Sequence, residues 1–388
     1  MDLPNDATLN DAQLVAQAMS AARVGLVDRE VLADVVVLCA IAGEHVLVVG
    51  PPGTAKSEAI RRVARQLGGN YFEYLVGRFT EPGEIFGPID LTSLRDGVVR
   101  VETKGMLPEA DIAFLDEVFL GSTAILNTLL GLLNERVYRR GSTVVDSPLR
   151  VCVGACNVLP EDPSLAAFAD RFLARVFVSS VPDERLEELL EIGWAGDSHR
   201  LESSLESLVP ALDRLSTAAR SVDVSGVVSD LSTAVRRLRA AGVALSDRRA
   251  VRAQRLVAAA AVLDGRAVAA AKDLWVLPLI APTADSQAIA TDILSDLMAT
   301  ATNAVVPHAA ESFSRGLEAR AERMVTSAGE LISDLIEPVG ADDRLRVEAL
   351  LREIDATFSL QDLSEQLAVA RVELVQKLEV VPAITAEP

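Results

Sequence analysis

Aromatic and basic side chains are scarce in this chain of 388 residues. It contains two Trp, three Tyr and ten Phe, and its 37 Lys and Arg are outnumbered by 56 Asp and Glu, which leaves a formal net charge of −19. Proteins that bind nucleic acid or anionic membranes use a surplus of Lys and Arg, and single strands also stack on aromatic rings. The composition therefore argues against nucleic-acid binding and favours cationic partners.

Cysteine, histidine and long apolar runs are equally scarce. The three cysteines, Cys39, Cys152 and Cys156, lie in apolar segments, which predicts buried thiols in a reducing compartment. None of the three histidines is spaced with a cysteine as metal ligands are. Residues 1–10 lack the pattern of a signal peptide, and no segment reaches the roughly 20 apolar residues of a membrane span. We expect a cytoplasmic protein without a membrane span.

Short apolar strands alternate with helices through the first half of the chain. Helices are indicated at Lys56–Leu67 and Thr123–Leu133, and Val98–Thr103 alternates like a strand or hairpin arm. This order predicts an α/β domain over residues 1–182, with a parallel sheet that is covered on both faces. The strands are expected at His45–Val49, Tyr71–Val76, Ile112–Leu115, Leu149–Ala155 and Arg175–Ser179.

Strand signals vanish after Pro182. Residues 183–285 are expected to form an all-helical second domain, and residues 286–388 a further, mostly helical and acidic region. From residue 285 onward eight basic residues accompany 19 acidic ones. Apolar residues there recur at spacings of three and four, which is typical of packed helices: Leu317, Ala321, Met324, Ala328, Leu331 and Leu335, then Leu360, Leu363, Leu367, Ala370 and Leu374.

The strongest motif follows the first predicted strand and opens a helix. Such a loop wraps phosphates with its backbone N–H groups. Lys56 would neutralise the β- and γ-phosphates of ATP, and the Ser57 hydroxyl would bind Mg²⁺. The common pattern has Gly where this chain has Ala55, so the loop must tolerate a Cβ there. The motif consists of Gly50, Pro51, Pro52, Gly53, Thr54, Ala55, Lys56 and Ser57.

Two carboxylates follow a second buried strand. Ile112–Leu115 is succeeded by Asp116 and Glu117, sixty residues after the loop lysine. In a phosphoryl-transfer site, Asp116 would hold Mg²⁺ through water and Glu117 would polarise the attacking water. A third apolar strand ends at Asn157, whose amide can hydrogen-bond both that water and the γ-phosphate. The three motifs together predict a site for ATP and Mg²⁺.

The ordered motifs resemble those of AAA+ ATPases of the MoxR type, and most closely their RavA branch. The resemblance extends over about residues 20–260. Besides the phosphate loop, including its Ala, it rests on residues 79–88, 115–119, 124–136, 169–172 and 246–250. It implies that the second domain is the helical lid of an AAA+ protein.

The resemblance also implies roles for two arginines. Arg171 would be the arginine finger that reaches the γ-phosphate bound in a neighbouring subunit, with Arg175 as an alternative. Arg248 would act as sensor 2 on the phosphate in its own subunit, and Arg249 competes for that role. A fixed guanidinium stabilises the charge that spreads onto the equatorial oxygens during phosphoryl transfer.

The adenine contacts of the family fall near Gly25, Leu26 and Val27. The family further implies a ring, most often of six subunits, that acts as a chaperone-like remodeler or maturation factor on a protein substrate. Its partner would be a separate chain with a von Willebrand factor A domain, since no D-x-S-x-S run occurs here.

Three other functions are compatible with parts of the pattern. A DNA-acting AAA+ motor conflicts with the acidic composition. The motor subunit of a metal chelatase has a similar core, but residues 116–119 and 246–249 fit it less well. A nucleotide switch that barely turns over conflicts with the intact Glu117.

Overall fold

The structure is a computed structural model, and it describes residues 6–195, 207–298, 302–314, 316–334, 341–358 and 363–379. Its strands are β1 (Val46–Val49), β2 (Tyr71–Leu75), β3 (Ile112–Asp116), β4 (Val137–Arg140), β5 (Thr143–Asp146), β6 (Val151–Cys156) and β7 (Ala174–Phe177). Its helices are α1 (Asp6–Arg23), α2 (Glu30–Ala42), α3 (Lys56–Leu67), α4 (Pro82–Phe86), α5 (Leu91–Arg95), α6 (Thr123–Glu135), α7 (Pro163–Ala169), α8 (Leu186–Ala195), α9 (Val209–Arg220), α10 (Val228–Ala240), α11 (Asp247–Leu263), α12 (Ala284–Ile293), α13 (Pro307–Phe313), α14 (Gly316–Asp334), α15 (Ala341–Thr357) and α16 (Glu365–Glu379).

A parallel sheet in the order β2-β3-β6-β1-β7 forms the centre of the α/β part. Every residue of β1 and β6 is buried, because helices cover the sheet on both faces. The α1–α3 face shares one apolar cluster, and α6 with α4 contributes to a second cluster on the other face. The expected fold class, a covered parallel sheet followed by helices, is confirmed.

The register brings three strand ends to the same level. Gly154 of β6 pairs with Leu47 of β1 on one side and with Leu115 of β3 on the other. Because all three strands are parallel, the residues that follow them emerge together at the carboxyl edge of the sheet. That edge therefore receives the phosphate loop, the two carboxylates and Asn157.

Two local predictions were wrong or incomplete. Val98–Thr103 is not a regular strand, since it makes only one isolated bridge, between Val101 and Ile89. The antiparallel hairpin β4–β5 was missed: its two four-residue strands lack an alternation of apolar and polar residues, and they turn at Gly141, which has a φ of 58°. Both segments lie where side chains are partly exposed, so apolar periodicity is weak there.

The helices after β7 do not build an isolated core. Helices α9 and α11 pack against α2, and their residues Leu215 and Val257 belong to the same apolar cluster as Val36. Pro182 therefore marks a change from strands to helices without a break in the apolar core. Within the described residues, no helix is both long and apolar enough to cross a bilayer.

The last three helices form a separate apolar cluster. The predicted seam residues Ala321, Met324, Ala328 and Leu331 of α14 pack there with Leu367, Ala370 and Leu374 of α16. Leu363 packs at the edge of this cluster, whereas Leu335 and Leu360 lie outside the described residues. The three-and-four spacing therefore reports helix packing within the chain.

One buried arginine joins the start of α11 to the sheet. The guanidinium of Arg249 donates to the carbonyl oxygens of Leu173 at 2.6 Å and Ile280 at 2.9 Å. It also donates to Phe172 O at 3.2 Å and to the Asp170 carboxylate at 3.1 Å. The side chain is 2% exposed, so these bonds replace its hydration.

Replacement of Arg249 by Ala is expected to lower the free energy of unfolding by about 3 kcal/mol, because it leaves buried carbonyls and a carboxylate without a donor. The matched control is Arg248→Ala at the next position, where one hydrogen bond to Asn134 is lost and a change below about 1 kcal/mol is expected. Urea unfolding followed by circular dichroism measures both, and equal losses would contradict the role given to Arg249.

Candidate nucleotide site

The phosphate loop connects β1 to α3 and passes close to the end of β7. A Cβ on Gly50 would lie 2.2 Å from the carbonyl oxygen of Val178, so only glycine fits there. The N–H of Gly50 donates to Cys156 O at 3.1 Å, which continues the pairing of β1 with β6. The loop thus leaves the sheet at a fixed point.

Ala55 adopts the left-handed conformation that the motif usually assigns to glycine, with φ 55° and ψ 26°. For a residue with a Cβ this costs about 1 kcal/mol. The methyl group is exposed and meets no obstruction from the fold. The loop therefore tolerates the departure from the common pattern at a small cost in strain.

The loop fits a chain of phosphates. Helix α3 begins at Lys56 without a side-chain cap, so its first N–H groups are open to an anion. Lys56 is 7% exposed, and its ammonium lies over the loop, where it donates to Gly50 O at 2.6 Å and Pro51 O at 3.0 Å. Ser57 follows in the first turn with its side chain partly exposed.

Asp116 and Glu117 lie beside this loop at the end of β3. The N–H of Glu117 donates to its neighbour's carboxylate, Asp116 Oδ1, at 3.0 Å, and Glu117 itself is left-handed with φ 50°. Asn157 Nδ2 donates to Glu117 Oε1 at 2.6 Å. Burial raises the pKa of Glu117, the charge of Asp116 raises it further, and Lys56 lowers it. The predicted site residues Lys56, Asp116, Glu117 and Asn157 therefore lie together at the carboxyl edge of the sheet.

The segment expected near adenine lies against the other side of α3. Leu26 and Val27 are each 5% exposed, and Gly25 has a φ of 74°. A Cβ on Gly25 would lie 3.0 Å from the Arg62 guanidinium and 3.6 Å from Ile192 Cγ2 of α8. The segment is thus held between α3 and α8.

Arg29 is a residue that sequence reasoning missed. It is 2% exposed, and its Nε donates to the loop carbonyl of Thr54 at 2.6 Å. Its other nitrogens donate to the Ser179 carbonyl after β7 and to Asp28 Oδ2 at 2.9 Å. The signal that the sequence offered was an arginine directly before the apolar helix α2. Its guanidinium connects the phosphate loop to the end of β7 and to Asp28, which follows the Gly25–Val27 segment in sequence.

Arg248 lies at the opposite edge of the sheet. It donates to Asn134 Oδ1 at 2.6 Å, near the end of α6. That helix starts beside the carboxylates and runs 13 residues away from them, or about 20 Å. This geometry contradicts the expectation that Arg248 reaches the phosphate of its own subunit.

Arg175, the alternative arginine finger, and Arg249, the alternative sensor 2, both use their guanidiniums in hydrogen bonds within the fold. Arg175 is 6% exposed on β7 and donates to Pro282 O, and Arg249 is saturated by carbonyl oxygens. Arg171 differs, because the residue is partly exposed and its guanidinium, including a buried Nε, makes no hydrogen bond or ion pair within the described residues. It follows α7, which leads away from the edge where Asn157 lies. The geometry favours Arg171 over Arg175 as a group that is free to meet another molecule.

The strand order, the loop after β1 and the acidic end of β3 define a nucleotide-binding protein of the AAA+ class. Residues 13–217 match the family described as the MoxR domain in the MoxR-vWA-beta-propeller ternary systems, and residues 224–288 match an AAA lid domain. The first match alone covers more than half of the chain. The chain belongs to this family of MoxR domains.

Curated relatives share only part of their length with this chain. An uncharacterized protein of Methanocaldococcus jannaschii is 38% identical over 247 residues, which cover 63% of this chain and 65% of that protein. A second uncharacterized protein of the same organism is 36% identical over 246 residues, which cover 63% of each chain. A structural protein of Acidianus two-tailed virus is 31% identical over 179 residues, which cover 43% of this chain and 29% of that protein.

The fold is also similar to a solved structure from Cytophaga hutchinsonii, of a protein proposed to be an ATPase. The TM-score is 0.60 at 16% identity, over 74% of this chain and 96% of that one. At this identity the likeness concerns the fold alone.

Arg29→Gln is expected to raise the KM for ATP about tenfold with kcat changed much less, because the loss of charged hydrogen bonds of about 1.5 kcal/mol loosens the loop. Arg29→Lys should restore part of the affinity. The control is Arg65→Gln on the exposed side of α3, which removes the same charge. Steady-state kinetics measure the KM and kcat of each variant. If Arg29→Gln leaves the KM for ATP unchanged and lowers only the free energy of unfolding, the role of Arg29 is purely structural.

Proposed function

We propose that this chain is a Mg²⁺-dependent ATPase that works in a ring of subunits. The observation that carries the proposal is the arrangement of Glu117 between Asp116 and Asn157, beside the phosphate loop. A carboxylate of raised pKa, held by an amide at 2.6 Å, has the position and basicity of a general base toward water.

Each residue has a definite task at this edge. Lys56 and the first N–H groups of α3 bind and orient the phosphates, and Ser57 with Asp116 would hold Mg²⁺, which neutralises charge on the phosphate oxygens. Glu117 orients the attacking water and accepts its proton. Asn157 fixes the Glu117 carboxylate, and Gly25–Val27 lines the side on which the adenine would lie.

The arginines support catalysis between subunits. Arg171 and Arg248 both lie away from the phosphate loop of their own chain. A guanidinium stabilises a γ-phosphate only within hydrogen-bond reach. We therefore assign both to the nucleotide of a neighbouring subunit, which corrects the own-subunit role given to Arg248. A closed ring, of six subunits by family resemblance, satisfies every site at once.

The family supports the wider role. Its description names ternary systems of a MoxR domain, a vWA protein and a β-propeller. Accordingly the proposed partner is a separate von Willebrand A domain protein, and the proposed work is chaperone-like remodeling or maturation of a protein substrate in the cytoplasm. The RavA branch remains our proposed placement, on the phosphate loop with Ala55 and the segment 79–88.

Glu117→Gln is expected to retain ATP binding and to lose at least 100-fold in turnover, because general base catalysis contributes about 10²–10⁴ in rate and an amide cannot take the proton. Lys56→Ala should weaken ATP binding itself. A fluorescent ATP analogue reports affinity and phosphate release reports turnover. Turnover of Glu117→Gln at the wild-type rate would remove Glu117 from the role of base.

Catalysis between subunits is expected to appear in mixtures of inactive variants. Arg171→Ala and Lys56→Ala should each hydrolyse ATP poorly, and mixing them should recover part of the activity, because some pockets then meet an intact finger. Arg248→Ala should complement Lys56→Ala in the same way.

The control mixes Arg171→Ala with an Arg171→Ala/Lys56→Ala double variant, in which no intact finger exists, so no recovery is expected. Full wild-type activity at dilutions where only monomer is present, together with no recovery in any mixture, would refute catalysis between subunits.

A further inference from the structure

A basic cleft lies at the amino edge of the sheet, opposite the phosphate loop. It has a volume of about 540 Å³ and is walled by the end of α2, the end of α6 and the helices α9 and α11. Five arginines line it, although the chain as a whole carries a net charge of −19. They are Arg136, Arg150, Arg220, Arg252 and Arg255.

Carboxylates neutralise these arginines only in part. The buried Glu44 is shared, since Arg252 at 3.3 Å and Arg255 at 3.0 Å both contact its Oε1, while its Oε2 has no hydrogen-bond partner. Asp213 pairs with Arg150, which also lies 3.5 Å from Asp111. The Nε of the nearly buried Arg150 makes no hydrogen bond, and its nearest carboxylate is that of Asp111 at 3.5 Å.

Two features show that positive charge is left over. The guanidinium of Arg220 has no hydrogen bond or ion pair in the part of the chain that the structure describes. Arg136 makes no ion pair within the described residues: its guanidinium donates to the carbonyl oxygens of Leu133 at 3.1 Å and Gly43 at 2.9 Å, and burial lowers its pKa to about 10. Five guanidiniums therefore face three carboxylates, of which only Asp213 lines the cleft.

The cleft is separate from the nucleotide site. It opens next to Gly43, before β1, whereas the phosphate loop begins after β1. The four residues of that strand span about 13 Å, and the sheet lies between the two sites. Arg136 ends the segment 124–136 that carries the MoxR resemblance, but the other four cleft arginines lie outside every motif segment. The proposed ATPase chemistry therefore leaves most of this cluster unexplained.

We propose that this cleft binds a small phosphorylated ligand with two or three linked phosphates, at a site distinct from the phosphate loop. Its volume lies in the usual range for small-molecule sites. Guanidinium groups pair with phosphate oxygens through two parallel hydrogen bonds, and converging arginines match a chain of phosphates. Asp213 competes with that ligand: its carboxylate is 61% exposed and can leave Arg150 at little cost.

The test uses tripolyphosphate as the probe on the full chain, in the presence of a saturating non-hydrolysable ATP analogue that blocks the phosphate loop. Isothermal titration calorimetry should detect one further equivalent of binding. Arg220→Gln/Arg255→Gln should weaken it at least tenfold. The matched control, Arg65→Gln/Arg236→Gln, removes the same charge at exposed positions outside the cleft and should stay within twofold.

Asp213→Asn gives an independent sign, because removal of the competing carboxylate should tighten binding several-fold. The proposal is overturned if wild-type protein binds no tripolyphosphate beyond the blocked loop, or if both double variants weaken binding equally. It is also overturned if binding occurs without the ATP analogue but is abolished by it in assembled rings, since the cleft would then serve the nucleotide of a neighbouring subunit. Loss of ATPase activity in Glu117→Gln is unaffected by any of these outcomes.

Discussion

The parallel register of β1, β3 and β6 is the constraint on which the nucleotide site depends. Leu47, Gly154 and Leu115 lie level across three strands that are buried on both faces. A shift of one residue would move apolar side chains between the two clusters that cover the sheet, so apolar burial sets the register. The same burial therefore places Gly50, Glu117 and Asn157 next to one another, although more than a hundred residues separate the first from the last.

Charge is divided between the two edges of this sheet. The carboxyl edge carries Asp116 and Glu117 with Lys56 and the buried Arg29, whereas the guanidiniums of Arg171 and Arg248 belong to the amino edge. Hydrolysis of ATP needs both kinds of group near one γ-phosphate. The catalytic centre that we propose draws on the carboxyl edge of one chain and on the amino edge of its neighbour, which is why we propose that assembly and chemistry are coupled.

Strong local patterns made much of this predictable. The helix at Lys56–Leu67 was predicted with the bounds that the structure gives it, because a phosphate loop precedes it and two glycines follow it. Arg29 and the contact of Arg248 were not predictable, since each depends on carbonyls or amides far away in sequence. The prediction that Arg248 reaches the phosphate of its own subunit did not anticipate how the later helices pack. The helices after Pro182 pack on α2, and a sequence motif alone does not indicate which edge of the sheet a helix will reach.

Of the four non-glycine residues with positive φ in the described part of the chain, two lie where the chemistry is proposed and two, Asp28 and Arg136, lie elsewhere. Ala55 and Glu117 are both left-handed residues with a Cβ, at a cost of about 1 kcal/mol each, and each is held by one polar contact from outside its own segment. Arg29 anchors the peptide that precedes Ala55, and Asn157 holds the carboxylate of Glu117. Strained residues persist only where surrounding contacts determine their conformation. The two contacts therefore do more than add stability, because they keep the phosphate loop and the proposed general base in the one arrangement in which they face each other.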